Sequence, residues 1–331
     1  MSDQDSKPQS ELRSALAENG KRRRTGTLVA VALGVAAVVA IGVTFGINAF
    51  RGPVENAAAA TGAGEAERLS LRIATSEDTD FQAAIAEIAA EKGLDVEWVN
   101  VADWVLPNTE LAAGTVDGNA FQHILYLSNF NVKNDENLTP VFSTVITQWG
   151  VFSATLDSIE EIPDGGRVAI PDDPSNGGRA LFILEAAGLV EIADGSGEFP
   201  TVDDITENPQ GLEFVPIAAT TIPQQFDDPS LSAVVVGTSY FDPSQGIGTD
   251  DALFLDDSLD EKNLPYVNVI ASRDDNKDDP AWEILEESYR DAGAAEALKK
   301  ESFGSTVGVE VDVKTLRSKL ADLEKLAAAN Q

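Results

Sequence analysis

The chain has 331 residues, room for about two domains of roughly 150 residues or one large one, and its 43% hydrophobic and 24% charged residues are ordinary globular composition. Against 23 Lys+Arg stand 56 Asp+Glu, a net charge of −33 that repels phosphate backbones and argues against a nucleic-acid partner. Cys is absent and His123 is the single His, which excludes disulfides, Cys nucleophiles, thiolate metal sites, a lipid-modified Cys and a His-rich zinc site.

The charge is unevenly placed. Residues 1–50 carry six basic and four acidic side chains, leaving a net −35 on the remainder. Within them, residues 25–50 form an uncharged run of 26, rich in Val, Ala, Leu and Ile. At about 1.5 Å per residue such a helix can cross a hydrocarbon core of about 30 Å. The basic cluster Lys21-Arg22-Arg23-Arg24 precedes it, so the positive-inside rule puts residues 1–24 in the cytoplasm and everything after the span outside. A buried core helix fits poorly beside that cluster. A cleaved signal peptide is the alternative, because Ala57-Ala58-Ala59 offers small residues, although the apolar run exceeds an ordinary signal-peptide core. Residues 51–67, small and polar, read as a linker.

Beyond the linker the pattern is α/β. Alternation over 69–73 predicts a strand, and Asp78 or Asp80 can cap a helix over 81–92 that stops at Gly93. A strand over 95–99, a short helix from Pro107 to Gly114, a strand over 116–119 and a helix near 122–129 follow. A second series starts after the Asp164-Gly165-Gly166 turn, with a strand over 167–170, a helix over 177–187 closed by Gly188, and strands over 212–217 and 233–236. A strand within 264–272 and a mostly helical 280–300 complete it. The β-α-β order argues for parallel sheets in two lobes, with a cleft between them as the natural small-ligand site. The expected division is lobe I at 68–146 and 263–303, lobe II at 147–262, and a helical extension at 304–331. In the extension, Val313, Leu316, Leu320, Leu323 and Leu326 share a helical face behind an Asp312 cap, suited to packing on the nearer lobe.

Motifs for covalent chemistry are missing. Neither GxGxxG, GxxxxGK[ST] nor GxSxG occurs, and the acidic run 274–279 lacks the Gly and Glu of a calcium loop, so it reads as a solvated turn. Two segments stand out instead. The first joins DWVLPN (103–108) to NAFQHILY (119–126), which sets aromatics and the lone His at strand ends and helix starts. The second is IPDDPSNGGR (170–179), where a strand ends and a helix is expected to begin with Arg179 in its first turn. Unpaired helix N–H groups and a guanidinium are anion-binding chemistry, and the C-terminal end of a strand is where open α/β sheets hold ligands. By spacing alone Arg179 also reads as a surface residue, Trp104, Phe121 and Tyr126 as core, and His123 as a partnered structural His.

The segments DWVLPNTEL (103–111), GNAFQHILYL (118–127), VAIPDDPSNGGRAL (168–181), FPTVDDITENP (199–209) and LPYVNVIASRDDNKDD (264–279) together resemble the methionine-binding lipoproteins, the substrate-binding components of methionine ABC importers. The resemblance implies a two-lobed periplasmic-binding-protein fold of the type with two crossovers, no enzymatic activity and no cofactor. It implies an amino-acid ligand whose carboxylate meets Arg179 with Asn176 nearby, and whose backbone meets Asn268. It further implies a side-chain pocket walled by Trp104, Phe121, His123 and Tyr126; aromatic walls suit a polarizable thioether. An ABC permease and its ATPase are the implied partners. The sequence departs from that pattern where the family commonly has a lipid-modified Cys. Gly237 replaces a usual ligand Asn, Trp104 stands where Tyr is common, and Asp172 stands where Asn is usual, able to offer a charge to an ammonium group. Rival expectations are the same fold with another amino acid or a dipeptide, and a surface interaction protein with a vestigial cleft.

Overall fold

The structure, a computed structural model, describes residues 68–101 and 103–329. The cytoplasmic segment, the apolar run 25–50 and the linker of the sequence reading lie outside the described residues. Among the described residues no helix is long and apolar enough to cross a membrane.

The first lobe begins β1 (Leu69–Thr75), α1 (Asp80–Glu91), β2 (Leu94–Asn100), α2 (Leu106–Ala112), β3 (Gly118–His123), α3 (Ile124–Asn134), β4 (Thr139–Ser143). Thr79, not Asp78 or Asp80, caps α1, through a reciprocal box with Gln82 that satisfies two orphan N–H groups. Gly93 ends it at φ 92°, as its position predicts. The third strand runs on to His123, so α3 starts later than the 122–129 expected.

A short strand β5 (Val145–Thr147) leads out of this lobe into β6 (Trp149–Phe152), β7 (Arg167–Pro171), α4 (Pro174–Ala186), the small hairpin β8 (Glu191–Ile192) and β9 (Ile205–Glu207), β10 (Glu213–Ile217), β11 (Ala233–Gly237) and β12 (Ala252–Leu255). A 3-10 segment, Glu261–Tyr266, returns the chain to β13 (Asn268–Ser272). Two helices follow where one was expected, α5 (Ala281–Tyr289) and α6 (Ala292–Glu301), because Asp291 turns the backbone out and caps the second. Then come β14 (Thr306–Gly308) and α7 (Val313–Ala329), whose first N–H groups are accepted by Asp312.

Each lobe is built on a five-stranded sheet, ordered β2-β1-β3-β13-β4 and β10-β7-β11-β6-β12. In both, the first three strands pair in parallel and the last two pairings are antiparallel, so only the fourth strand runs against the rest. The chain passes between the sheets after β4 and again after β12, giving two α/β lobes joined by two crossings. At the joint, β14 zips antiparallel onto β5. The sheet of the second lobe has β11 at its centre, and Ala233–Gly237 is buried along its whole length, as a strand covered on both faces must be. Leu316, Leu320, Leu323 and Ala327 of α7 share one apolar core with Leu125, Leu127 and Phe130 of α3, so the extension is a structural part of the first lobe.

Candidate functional site

The two motif-rich segments of the sequence meet between the lobes. His123 ends β3 and caps α3, its Nδ1 accepting the Tyr126 backbone N–H at 3.1 Å. With Nδ1 committed as acceptor, the network assigns the ring proton to Nε2, which donates to Oδ1 of Asn176 at 3.0 Å. Burial pushes the His123 pKa from 6.5 down to about 4, against the opposing pull of the Asn176 hydrogen bond and with help from the nearby Arg179 charge. The imidazole is therefore neutral near pH 7 and ties one lobe to the other through an uncharged bond.

Asn176 lies in the first turn of α4. The carboxylate of Asp173 receives the Asn176 backbone N–H at 2.9 Å, its side-chain amide at 3.0 Å and the Ser175 hydroxyl at 2.7 Å. This corrects the sequence reading of the segment in two respects. The helix begins at Pro174, so Arg179 is in its second turn, and the first-turn N–H groups face the chain's own Asp173. Asp172 is exposed, with its backbone N–H bonded to Ile217 O at 3.0 Å.

Arg179 is not a surface residue. It is 3% exposed, and its Nη2 donates to Thr147 O at 3.0 Å and to Asp256 Oδ2 at 3.2 Å. Those two partners lie at the two passages between the lobes, so one guanidinium touches both. Its carbon sits 4.7 Å from the Trp149 ring centre and 4.4 Å from that of Tyr266, in the range of cation–π attraction. Burial depresses the Arg179 pKa and raises that of Asp256, and in each case the partner's charge opposes the shift. Arg179 Nε is buried without a hydrogen-bond partner, the kind of unmet donor a ligand anion satisfies.

The aromatics form a connected wall. Phe121 meets Tyr126 at 5.9 Å, Tyr126 meets Trp104 at 6.3 Å, and the Tyr126 hydroxyl donates to Trp104 O at 3.1 Å. Trp104 then reaches across the lobes to Tyr240 at 5.4 Å, which packs edge-on to Trp149 at 5.7 Å. His123 stands edge-on to Tyr266 at 5.5 Å. Asn268, half-buried, is the cross-strand neighbour of His123. Gly237 is the cross-strand neighbour of Trp149, and a Cβ there would lie 2.8 Å from the indole Nε1. The missing side chain at 237 is thus filled by Trp149.

Trp149, Asp173, Tyr240, Asp256 and Tyr266 join the site without having been picked out as ligand residues from the sequence. Only Asp173 carried a local signal, since Asp before Pro-Ser-Asn is a helix N-cap followed by an N1 proline. Other motif residues serve as scaffold: Asn108, Asn119 and Gln122 are buried and bonded to one another at 2.6–2.9 Å, fixing the strand end beneath the aromatics. A separate cavity of about 280 Å³ shares only Tyr266 with the site; its Glu198 and Glu185 are already bonded to Lys319 and to the Ile192 N–H.

Residues 69–309 match the sequence profile of a family described as NlpA lipoprotein. The chain belongs to that family. D-methionine-binding lipoprotein MetQ of Escherichia coli K12 is 35% identical over 254 residues, which cover 75% of this chain and 92% of MetQ. Lipoprotein 28 of the same organism is 31% identical over 244 residues, 73% of this chain and 88% of its own length. Among solved structures, the crystal structure of the methionine-binding protein MetQ superposes with a TM-score of 0.68 at 33% identity, over 73% of this chain and 99% of MetQ. A nutrient-binding protein from Burkholderia cenocepacia, solved bound to methionine, gives 0.66 at 31% identity, over 72% of this chain and 99% of its own. The five sequence segments that carried the resemblance all fall inside the matched region.

Proposed function

We propose that this protein is the extracytoplasmic substrate-binding component of an ABC importer, capturing methionine or a close analogue between its lobes and delivering it to the permease. Arg179 carries the reading: a buried guanidinium with an unmet Nε donor, set between two aromatic rings and opposite an aromatic wall. A carboxylate satisfies the donor, and a flexible apolar side chain suits the wall. The proposed ligand set is Trp104, Phe121, His123, Tyr126, Asn176, Arg179 and Asn268, and the relatives' names support methionine as the ligand. Ligand touching both lobes stabilises the closed form, which the permease then recognises. The chain performs no covalent step; a separate ATPase supplies the energy.

The lobes divide at about residues 146/147 and 262/263, and residues 304–329 complete lobe I. Anchoring falls to residues 25–50 as a single membrane span, in place of a lipid on the Cys this chain lacks. Membrane fractionation with N-terminal sequencing of the mature protein tests this; a protein starting after residue 50 would refute a retained span. Calorimetry with a panel of amino acids tests the ligand. Binding of methionine with loss in Arg179→Ala is the expected result, and no binding of any amino acid by folded protein would refute the reading. One observation favours a second ligand: the Trp149–Gly237 contact offers an indole edge where a polar side chain would otherwise reach the cleft. Mass spectrometry of co-purifying ligand separates the two.

A further inference from the structure

The family match ends at Val309, and α7 lies beyond it. The helix belongs to the first lobe by its buried leucines, by Arg317 Nε donating to Pro140 O at 3.0 Å, and by Asn131 Nδ2 donating to Glu324 at 2.7 Å. Its outer face does something else. Lys319 Nζ pairs with Glu198 Oε1 at 2.8 Å, both side chains only about a quarter exposed (27% and 26%). Glu198 belongs to the connection between β8 and β9, which is rooted in the second lobe: Leu189, Val190, Ile192 and Ile205 all pack in that lobe's core. The next residue, Phe199, crosses over, and at 7% exposure it is buried in the first lobe's core with Leu316 and Leu320. The residue after that, Pro200, lies on α4 so closely that a Cβ on Gly178 would sit 2.9 Å from its Cδ. Gly178 is adjacent to Arg179.

We infer that α7 straps the two lobes together from outside the cleft, with Lys319 and Glu198 as positioning residues for the ligand-binding helix α4. The inference rests on the binding-protein reading above. Three consecutive residues form the linkage: Glu198 is held by α7, Phe199 is seated in lobe I, and Pro200 presses on the helix that carries Asn176 and Arg179. Contacts between bodies that part when the cleft opens exist only in the closed form. They therefore raise its population before any ligand arrives and lower the cost of closing on one. A partly exposed ion pair shifts such an equilibrium about two- to five-fold at low salt, and salt screens it.

The absence of Cys makes the test direct. Spin labels on Glu87→Cys and Asp227→Cys, exposed positions on the two lobes, report the interlobe distance by electron–electron double resonance. Lys319→Glu and Glu198→Lys should each shift the ligand-free protein toward the longer distance and weaken methionine binding about two- to five-fold. The exchanged pair Lys319→Glu/Glu198→Lys should restore both. In about 1 M salt the wild type should move toward the single variants. A structural role alone would lower the melting temperature and leave the distances unchanged. Identical distance distributions in all four proteins would overturn the strap. Failure of the wild type to bind any amino acid would refute the ligand assignment instead, and the ligand-free distances would still decide the strap.

Discussion

The two walls of the cleft are made differently. The second lobe brings a fixed polar apparatus, with Arg179 at 3% exposure held by Thr147 O and Asp256, and Asn176 held by Asp173. The first lobe brings half-buried rings, Trp104, Phe121 and Tyr126, supported by a backbone hydrogen bond and edge contacts. A buried charge needs partners that do not move, since an unpaired ion in a low-dielectric site is costly. Aromatic walls need only shape and area, and tolerate adjustment. The two walls thus differ in kind, one a fixed polar cluster and the other a set of adjustable rings, and the His123–Asn176 hydrogen bond ties them together. In the proposed reading the first would hold the ligand's backbone and the second its side chain.

The sharpest way to break that contrast is to remove the charge. Arg179→Ala leaves Asp256 buried without its partner, and breaking a buried pair costs about 3–5 kcal/mol of stability. Affinity for the ligand carboxylate should fall by about 1.5–3 kcal/mol as well. Thermal melts and calorimetry check both; unchanged affinity would take Arg179 out of the site.

Acid attacks the tie between the walls. Because the folded pKa of His123 lies at about 4, below its ordinary 6.5, the unfolded chain binds more protons in that interval. Its contribution is full above pH 6.5 and is lost as pH falls toward 4, by up to roughly 3 kcal/mol. Denaturant titrations at pH 7 and pH 4.5 should differ less in His123→Asn than in the wild type.

Gly237→Asn probes the packing behind the charged wall. Its Cβ would meet Trp149 Nε1 at 2.8 Å, so a destabilisation of about 1–3 kcal/mol is expected. Adding Trp149→Phe, which removes that nitrogen edge, should recover part of it, and a melting series of the single and double variants measures the coupling. The smallest effect belongs to the softer wall. Trp104→Leu removes the ring that meets Tyr240 across the lobes, and should cost about 0.5–1.5 kcal/mol of binding with little change in stability. A melting temperature that falls as far as for Arg179→Ala would erase the distinction between the walls.

Much of this was legible in the chain because it is local. Alternation and Gly stops mark β1, α1 and α4, although α4 begins three residues before its predicted start, at an Asp-Pro cap that the sequence pattern reads as loop. The joint was not legible. The short strands β5, β6 and β14 owe their existence to partners far away in the chain, and no local period marks them. For the same reason Trp149, Tyr240, Asp256 and Tyr266, four residues spread over the second lobe and its return, assemble around Arg179 only in three dimensions. Single-residue motifs at a strand end can be read from spacing; a cage drawn from both passages cannot.

The Trp149–Gly237 contact also bears on how such a site can change over generations. An indole at 149 and a side chain at 237 compete for the same space, so the two positions behave as one epistatic unit. A lineage that acquired the Trp first would make later gains at 237 deleterious, and a lineage with a side chain at 237 would have to lose it before the Trp could enter. Divergence in this corner of the cleft is therefore expected in paired steps, with glycine at 237 as the permissive intermediate.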